Sequence, residues 1–397
     1  MRPPLRIAFV YDAVYPWVRG GAERRYHELA RRLSERHDVH MIAWQWWDGP
    51  ATVRRDGVTL HGLGRPRAMY GADGKRTVGE ATAFSARLLP ALLRHRFDVI
   101  DCSATPYLPL YPAWLASRLT RTPLVVTWHE FWGEHWGEYL PHRPAVAAAA
   151  RRLESAARRM GDRVVAVSQF TARSMGMGGA SRLRVVPNGV DAASIRAADP
   201  HPDAAEVLCL GRLIDEKRVD LLLRAVDMAR ASVPGIRCDV VGEGPQRDAL
   251  ERLAVELGIS GRVRFLGRIP DREVAARLRG ASVLALPSAR EGYAMAVAEA
   301  QVAGAVPIVA RGPFTAAPDL VVDGVDGLVV EPSAPAFADA LTALLADGAR
   351  LEALSLAARH SGAARDWDGR ARDMEQVYTD LCATDAVGGT ERSPEWL

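Results

Sequence analysis

Short apolar runs alternate with longer amphipathic stretches, and the series starts twice; no other feature constrains this chain as strongly. Runs of four to six residues at 6–11, 39–43, 58–61, 98–101, 124–127 and 164–167 have the length and apolar character of buried strands. Between several of them lie amphipathic stretches such as 22–35 and 146–160, which have helical periodicity. This alternation predicts a parallel sheet covered by helices, because parallel neighbours need a crossover connection. From residue 206 the pattern begins again, with runs at 207–210, 238–241, 263–265, 283–286 and 306–309. The stretch 191–205 is rich in Ala, Asp and Pro, lacks periodicity and reads as a linker. The expected fold is therefore α/β, with two Rossmann-like domains facing each other across a cleft. The expected divisions are residues 1–190, residues 191–365 and a helical tail 366–397 that frays from about residue 384.

Within the second half, Ala289-Arg-Glu-Gly-Tyr-Ala-Met-Ala-Val-Ala-Glu-Ala300 places Glu291 and Glu299 eight residues apart. A strand precedes them and a run of good helix formers follows Gly292, so Glu291 is expected on the turn and Glu299 about two turns in. At the helical rise, the carboxylates would lie on the order of 12 Å apart along the axis. A carboxylate can accept two hydroxyl hydrogen bonds from a vicinal diol, so the pair suits the two ends of a nucleotide sugar. The diphosphate between them would meet the free N–H groups of the helix start. Upstream, Val207-Leu-Cys-Leu-Gly-Arg-Leu-Ile-Asp-Glu-Lys-Arg218 reads as strand, glycine turn and helix start. Arg212 and Lys217 would project from the carboxyl end of that strand, where open parallel sheets bind ligands. The arginine fork and the lysine point charge both suit a diphosphate. Each motif alone also fits an ordinary solvated helix start.

Together these residues resemble the retaining glycosyltransferases of family GT4, which have the GT-B fold. The resemblance runs along nearly the whole chain and in the family's order. It comprises Gly20-Gly21-Ala22-Glu23, Thr127-Trp128-His129-Glu130, Val186-Pro-Asn-Gly-Val-Asp191, Gly211-Arg212 with Glu216-Lys217, Gly242-Glu-Gly-Pro245, Val263-Arg-Phe-Leu-Gly267, and Pro287-Ser288 leading into the glutamate pair. It implies that Arg212 and Lys217 hold the diphosphate, Glu291 the donor sugar, Glu299 the ribose and His129 the reacting sugar. It also implies donor contacts at Gly20, Gly21, Gly267, Gly292, Tyr293 and Ala294, and a tail helix that crosses back onto the first domain. Two departures bear on the donor sugar. The family's second glycine after Glu291-Gly292 is replaced by Tyr293-Ala294-Met295, and the acid before the late Asp-Gly-x-x-Gly-Leu segment is present only as Asp319.

Other motifs carry weaker messages. Gly20-Gly21 fits either a ligand approaching a helix start or a turn with positive φ. Asp366-Trp-Asp368 mimics a metal-binding Asp-x-Asp, but it opens the tail helix, where acids suit the dipole. No metal or cofactor is expected, because Arg212 and Lys217 can neutralise the diphosphate. In 128–139, Trp128, Trp132 and Trp136 recur every four residues, as do Glu130, Glu134 and Glu138. Aromatic faces beside carboxylates suit a polyhydroxylated or cationic acceptor, with Trp128, Glu130, Trp132 and Glu134 as its ligands. Arg151-Arg152 and Arg158-Arg159 raise contact with an anionic membrane, yet Glu154 on the same helix favours a solvated face.

Composition narrows the class. A net charge of +3 with dispersed basic residues gives no nucleic-acid module. Four well-separated cysteines fit free thiols in a reducing compartment, and the first strand begins without a signal-peptide shape, so the cytoplasm is expected. No apolar run reaches the roughly 18 residues of a membrane span. The reading is a metal-independent transferase moving a sugar, expected from a UDP-sugar, to a hydroxyl of a small-molecule or glycan acceptor. An amino sugar or aminocyclitol, as in antibiotic assembly, is favoured over a phospholipid as the acceptor, with a neutral sugar chain as the near rival. A cell-envelope glycan or lipid glycosyltransferase, a sugar-nucleotide epimerase or phosphorylase, and a non-catalytic nucleotide-sugar-binding protein stay open. Oligomeric state is not readable.

Overall fold

A computed structural model describes residues 3–69 and 76–387. Contacts divide the chain into two compact units. The first takes in residues up to Met69, Arg76–Pro187 and the chain from Asp368; the second contains Asn188–Trp367.

The first unit runs β1 (Arg6–Val10), α1 (Gly21–Leu33), β2 (Asp38–Ala43), β3 (Thr52–Arg55), β4 (Val58–Gly62), α2 (Val78–Leu93), β5 (Val99–Ser103), α3 (Leu110–Thr120), β6 (Leu124–Trp128), α4 (Trp136–Tyr139), α5 (Pro144–Ala157), β7 (Arg163–Ala166), α6 (Gln169–Ser174) and β8 (Leu183–Val185). Its eight-stranded sheet has the order β3-β4-β2-β1-β5-β6-β7-β8, parallel except for the β3–β4 hairpin. The chain leaves β1 toward β2 in one direction and later builds β5 to β8 in the other. Right-handed crossovers therefore put α1 on one face and α2, α3 and α5 on the opposite face. Phe84, Leu88 and Leu92 of α2 accordingly pack with Ala8, Val10, Ile100, Leu124 and Val126 of the strands.

The second unit continues with α7 (Ala192–Ala197), β9 (Val207–Leu210), α8 (Val219–Ala229), β10 (Cys238–Val241), α9 (Arg247–Glu256), β11 (Val263–Gly267), α10 (Asp271–Gly280), β12 (Val283–Leu286), β13 (Arg290–Glu291), α11 (Met295–Ala303), β14 (Val306–Ala310), β15 (Phe314–Thr315), β16 (Leu328–Val330), α12 (Ala334–Ala346) and α13 (Gly348–Gly362). Six strands form a parallel sheet in the order β11-β10-β9-β12-β14-β16, and β13 pairs with β15 separately. Here the direction reverses between β9 and β12.

The last helix, α14 (Trp367–Val387), lies against the first unit. Tyr378 donates to Asp101 at 2.6 Å, and Arg32 and Arg36 donate to Asp368 at 2.5 Å and Glu375 at 2.6 Å. Of the tail expected to fray, residues 388–397 lie outside the described residues, while the backbone of 384–387 still belongs to α14. The stretch 191–205 is not a linker. Asp191 caps α7 by accepting from the Ser194 amide at 3.1 Å, and Ala192, Ile195 and Ala205 are buried. A six-residue helix is too short to display the periodicity that would have revealed it.

Candidate active site

In the second unit, the strand order reverses where β9 and β12 lie side by side, and open parallel sheets bind ligands at the carboxyl ends of such strands. Both sequence motifs emerge there. Beyond β9 the chain passes Gly211 and Arg212 into a 3-10 turn, Asp215–Lys217; beyond β12 it reaches Glu291. The Ala289 amide donates to the Glu216 carbonyl at 2.8 Å, which ties the two loops together. Lys217 Nζ then meets Glu291 Oε1 at 2.5 Å, with 21% and 13% of their side chains exposed. A cation and a carboxylate are thus paired at the reversal point, half-sheltered, with Arg212 exposed on the preceding turn. Glycine is required beneath them. A Cβ on Gly242, at φ 139°, would fall 1.8 Å from the Gly211 carbonyl oxygen. Gly267 closes the same edge by accepting from the Gly242 amide at 2.9 Å. Its φ of 64° and the Arg247 guanidinium 3.1 Å from where a Cβ would sit explain the glycine without a ligand.

Glu291 is held from behind. The two-residue strand β13 pairs in parallel with β15, and the Ala316 amide donates to the Glu291 carbonyl at 2.8 Å. The helix after it starts at Met295, so Glu299 lies just over one turn in, and the 12 Å spacing expected from a continuous helix does not apply. Glu299 is buried, as are Tyr293 and Ala294. Ala294 precedes α11 in the left-handed region, φ 65°, ψ 63°. It lies within Tyr293-Ala294-Met295, the stretch in which the family resemblance leads one to expect a second glycine. A β-branched side chain is sterically excluded there, so Ala294→Val should cost about 2 kcal/mol or more, whereas Ala294→Gly should stay within about 1 kcal/mol of the parent. Chemical denaturation of the two variants checks this, and equal midpoints would remove the strain argument.

In the first unit, His129 follows β6, with its ring 6.3 Å from that of Tyr11 and 5.7 Å from that of Tyr26. Its Nε2 is buried and has no hydrogen-bond partner among the described residues. Burial, with Arg25 nearby, pushes its pKa down to about 3, so the imidazole is neutral at physiological pH. Gly20 stands at the N-cap of α1 and Gly21 is the first helical residue. Neither needs positive φ: Gly20 is extended at −168°, and a Cβ there would fall 2.4 Å from a carboxylate oxygen of Glu23. Glu23 is itself buried and accepts from the Tyr11 hydroxyl at 3.2 Å.

The segment 128–139 departs from its expected form. Trp128 is fully buried in the sheet core and cannot stack on an acceptor. The carboxylates are not gathered. Glu130 accepts from the Trp132 indole at 2.8 Å, Glu134 pairs with Arg151, and Glu138 with His135 at 2.8 Å. What organises the segment is Glu154, which is fully buried and does not belong to a solvated face. It accepts from the Tyr107 hydroxyl at 2.5 Å, the Trp132 and Gly133 amides at 2.6 and 2.7 Å, and the Trp136 indole at 3.1 Å. The half-exposed rings of Trp132 and Trp136 are stacked at 5.0 Å, with Tyr139 edge-on to Trp132 at 4.5 Å.

The sequence reading also missed a buried polar cluster beyond β1. Asp12 receives two bonds from Arg76, at 2.9 and 2.8 Å, and Glu80 accepts from the Trp44 indole at 2.5 Å. Its one sequence signal is an aspartate at the carboxyl end of the first strand. Burial and then the charge of Asp12 push Glu80 up to about 7. A carboxyl raised in the folded state favours folding while protonated, so its contribution is complete below about pH 4.5, falls as pH rises toward 7 and is gone above. Glu80→Gln should therefore raise the melting temperature at pH 8 and leave it nearly unchanged at pH 4.5; the same shift at both values would show that the charge is not responsible. Among the described residues no group of three or more His, Cys, Asp or Glu is placed to hold a metal ion, and Asp368 instead pairs with Arg32.

Residues 19–194 match the family described as Glycosyltransferase Family 4, and residues 191–361 the family described as Glycosyl transferases group 1. The chain is 32% identical over 423 residues to D-inositol 3-phosphate glycosyltransferase of Geodermatophilus obscurus, with 95% of this chain and 90% of that protein covered. It is 34% identical over 252 residues to GDP-mannose-dependent alpha-(1-6)-phosphatidylinositol monomannoside mannosyltransferase of Mycolicibacterium smegmatis, and that match spans 58% of this chain and 63% of the relative. In structure it is similar to sucrose-phosphate synthase from Thermosynechococcus elongatus, with a TM-score of 0.81 and 21% identity over 96% of this chain and 100% of the other.

Proposed function

The chain belongs to glycosyltransferase family 4 and has the GT-B fold of two Rossmann-like domains, and from that premise we propose a retaining, metal-independent transferase that takes its sugar from a UDP-sugar. The observation that carries the donor site is the Lys217–Glu291 pair at the strand reversal of the second unit. In this reading Lys217 and Arg212 neutralise the departing diphosphate, whose other oxygens meet the backbone amides from Gly292 to Ala294 at the start of α11. Glu291 binds the donor sugar and Glu299 the ribose. The neutral imidazole of His129 offers its unpartnered Nε2 to the reacting sugar. The leaving diphosphate takes the acceptor proton on the same face, so the protein's part is positioning and charge stabilisation. With the charge held by two cations, no metal is needed.

For the acceptor we propose a hydroxyl of a small molecule or glycan, bound by the first unit through the half-exposed Trp132 and Glu130, in the cytoplasm. An amino sugar or aminocyclitol suits the Glu130 carboxylate beside the Trp132 ring. The names of the relatives instead include inositol 3-phosphate and a phosphatidylinositol mannoside, and one specifies GDP-mannose, so GDP-mannose is the second donor to test. The decisive experiment measures nucleotide release from UDP-, GDP- and ADP-sugars with pooled acceptors of these classes, after ranking the donors by thermal stabilisation. Turnover without acceptor would support an epimerase; donor binding with no release under any condition would mark a non-catalytic binding protein. Glu291→Ala should impair transfer more than nucleotide binding, and Glu299→Ala the reverse; calorimetry showing no split would overturn the two-ended donor site.

A further inference from the structure

We propose that the face of the first unit formed by α2, α3 and α5 is a docking surface for an anionic lipid bilayer. Two properties converge on that face. The three helices contain two carboxylates between them, Glu80 and Glu154, and both are buried, at 1% and 0% exposure. Glu154 had been the reason to read α5 as an ordinary solvated helix; its burial removes that reason. The charges these helices expose are arginines, including Arg87 on α2, Arg118 on α3, and Arg151 and Arg152 on α5. Arginine also ends each helix, as Arg94, Arg121 and Arg158. The helix dipole accounts for cations at those ends but not for Arg87, Arg151 and Arg152. Bordering carboxylates neutralise two of these arginines, Asp162 pairing with Arg118 at 3.2 Å and Glu134 with Arg151, so the excess positive charge of the face rests on Arg87, Arg94, Arg121 and Arg152.

The second property is apolar exposure. Among the described residues of this unit, every large hydrophobic side chain that is exposed belongs to these three helices. Val78 and Leu93 lie on α2, Trp114 and Leu119 on α3, and Val146 and Leu153 on α5, with Val78 at 68% and Leu119 at 62% exposure. The Tyr111 hydroxyl of α3 donates to the Leu153 carbonyl of α5 at 3.0 Å, which joins two of the helices into one surface. Alanines fill the gaps: Ala145, Ala148, Ala149 and Ala156 are exposed on α5 and keep its face low.

Arginines alone would suit any polyanion. Aliphatic side chains interleaved with them select a partner that is anionic at its surface and apolar just beneath, and a bilayer of acidic phospholipid is such a partner. A nucleic-acid backbone supplies the anions but no apolar layer. No helix among the described residues is long and apolar enough to cross a membrane, so the contact is peripheral. This inference does not depend on the donor or acceptor assignments.

The test is sedimentation of the full chain with vesicles of phosphatidylcholine alone or with about one third phosphatidylglycerol. The chain should bind the anionic vesicles, leave the neutral ones and dissociate as salt is raised. One basic residue near such a surface is worth about fivefold, so Arg94→Gln with Arg152→Gln should weaken binding about 25-fold. Leu119→Gln with Leu153→Gln should weaken it at every salt concentration. All four positions are exposed, and unchanged melting temperatures verify folding. Absence of vesicle binding, equal binding to neutral vesicles, or variants that bind like the parent would each overturn the proposal. Retention on heparin or duplex RNA without vesicle binding would overturn it in favour of a soluble polyanion.

Discussion

Lys217→Ala is expected to slow sugar transfer by on the order of 10²–10³, the loss typical of removing one preorganised stabiliser of developing charge, or about 3–4 kcal/mol of barrier. The expectation rests on placement. Lys217 leaves the loop after β9 at the point where the strand order reverses, and its ammonium lies 2.5 Å from Glu291 Oε1. A diphosphate arriving there would meet a cation already oriented by the protein, so little reorganisation is required. Removal also leaves Glu291, with 13% of its side chain exposed, without this partner, so part of the loss belongs to donor positioning. Lys217→Arg separates the two effects, because it keeps the charge but changes the shape. Arg212 is exposed, so Arg212→Ala should fall toward the lower end of the same range. Single-turnover rates with saturating donor, alongside calorimetric nucleotide affinities, give the measurement. Undiminished turnover in both alanine variants would sink the diphosphate assignment.

What the sequence could and could not convey follows from how local each feature is. The strands at Val207–Leu210, Cys238–Val241 and Val283–Leu286 are fully buried in a parallel sheet, so each is a short bounded run, apolar except for Asp239, and was legible to the residue. The pairing of Lys217 with Glu291 was not legible, because the residues are 74 positions apart and only the strand order brings them together. Nor were β13 and β15, since two residues carry no periodicity. The four-residue spacing of tryptophans and glutamates misled for a related reason. A spacing of four implies a shared face only along one helix axis. Across 128–139 the chain changes from strand to loop, to a 3-10 turn and to a four-residue helix, so Trp128 enters the core while Trp132 and Trp136 stay half-exposed. The direction of Glu154 was equally hidden. Its partners come from Tyr107 in the loop before α3 and from the segment after β6, and nothing on α5 announces them.

That hidden residue sets the second large expectation. Glu154→Ala should destabilise the first unit by about 3–5 kcal/mol, because one change strands several buried donors. Each carboxylate oxygen serves two of them: Oε1 accepts from the Tyr107 hydroxyl and the Trp132 amide, and Oε2 from the Gly133 amide and the Trp136 indole. The tyrosine hydroxyl can turn away and water can replace some of the bonds, which keeps the cost well below four separate losses. Two backbone amides in a fixed loop have no such freedom. Glu154→Gln should lie between parent and alanine, since an amide supplies one acceptor oxygen and turns its NH₂ toward the donors that Oε2 now satisfies. Thermal and chemical denaturation should rank the three proteins in that order. Emission from Trp132 and Trp136 should shift to the red in the alanine variant as their loop loosens. Nucleotide affinity should hold, because Arg212, Lys217 and Glu299, the residues proposed to hold the nucleotide, belong to the other unit. If the alanine variant melts with the parent and its emission is unchanged, then the aromatic loop is held by ring packing and Glu154 is incidental to it.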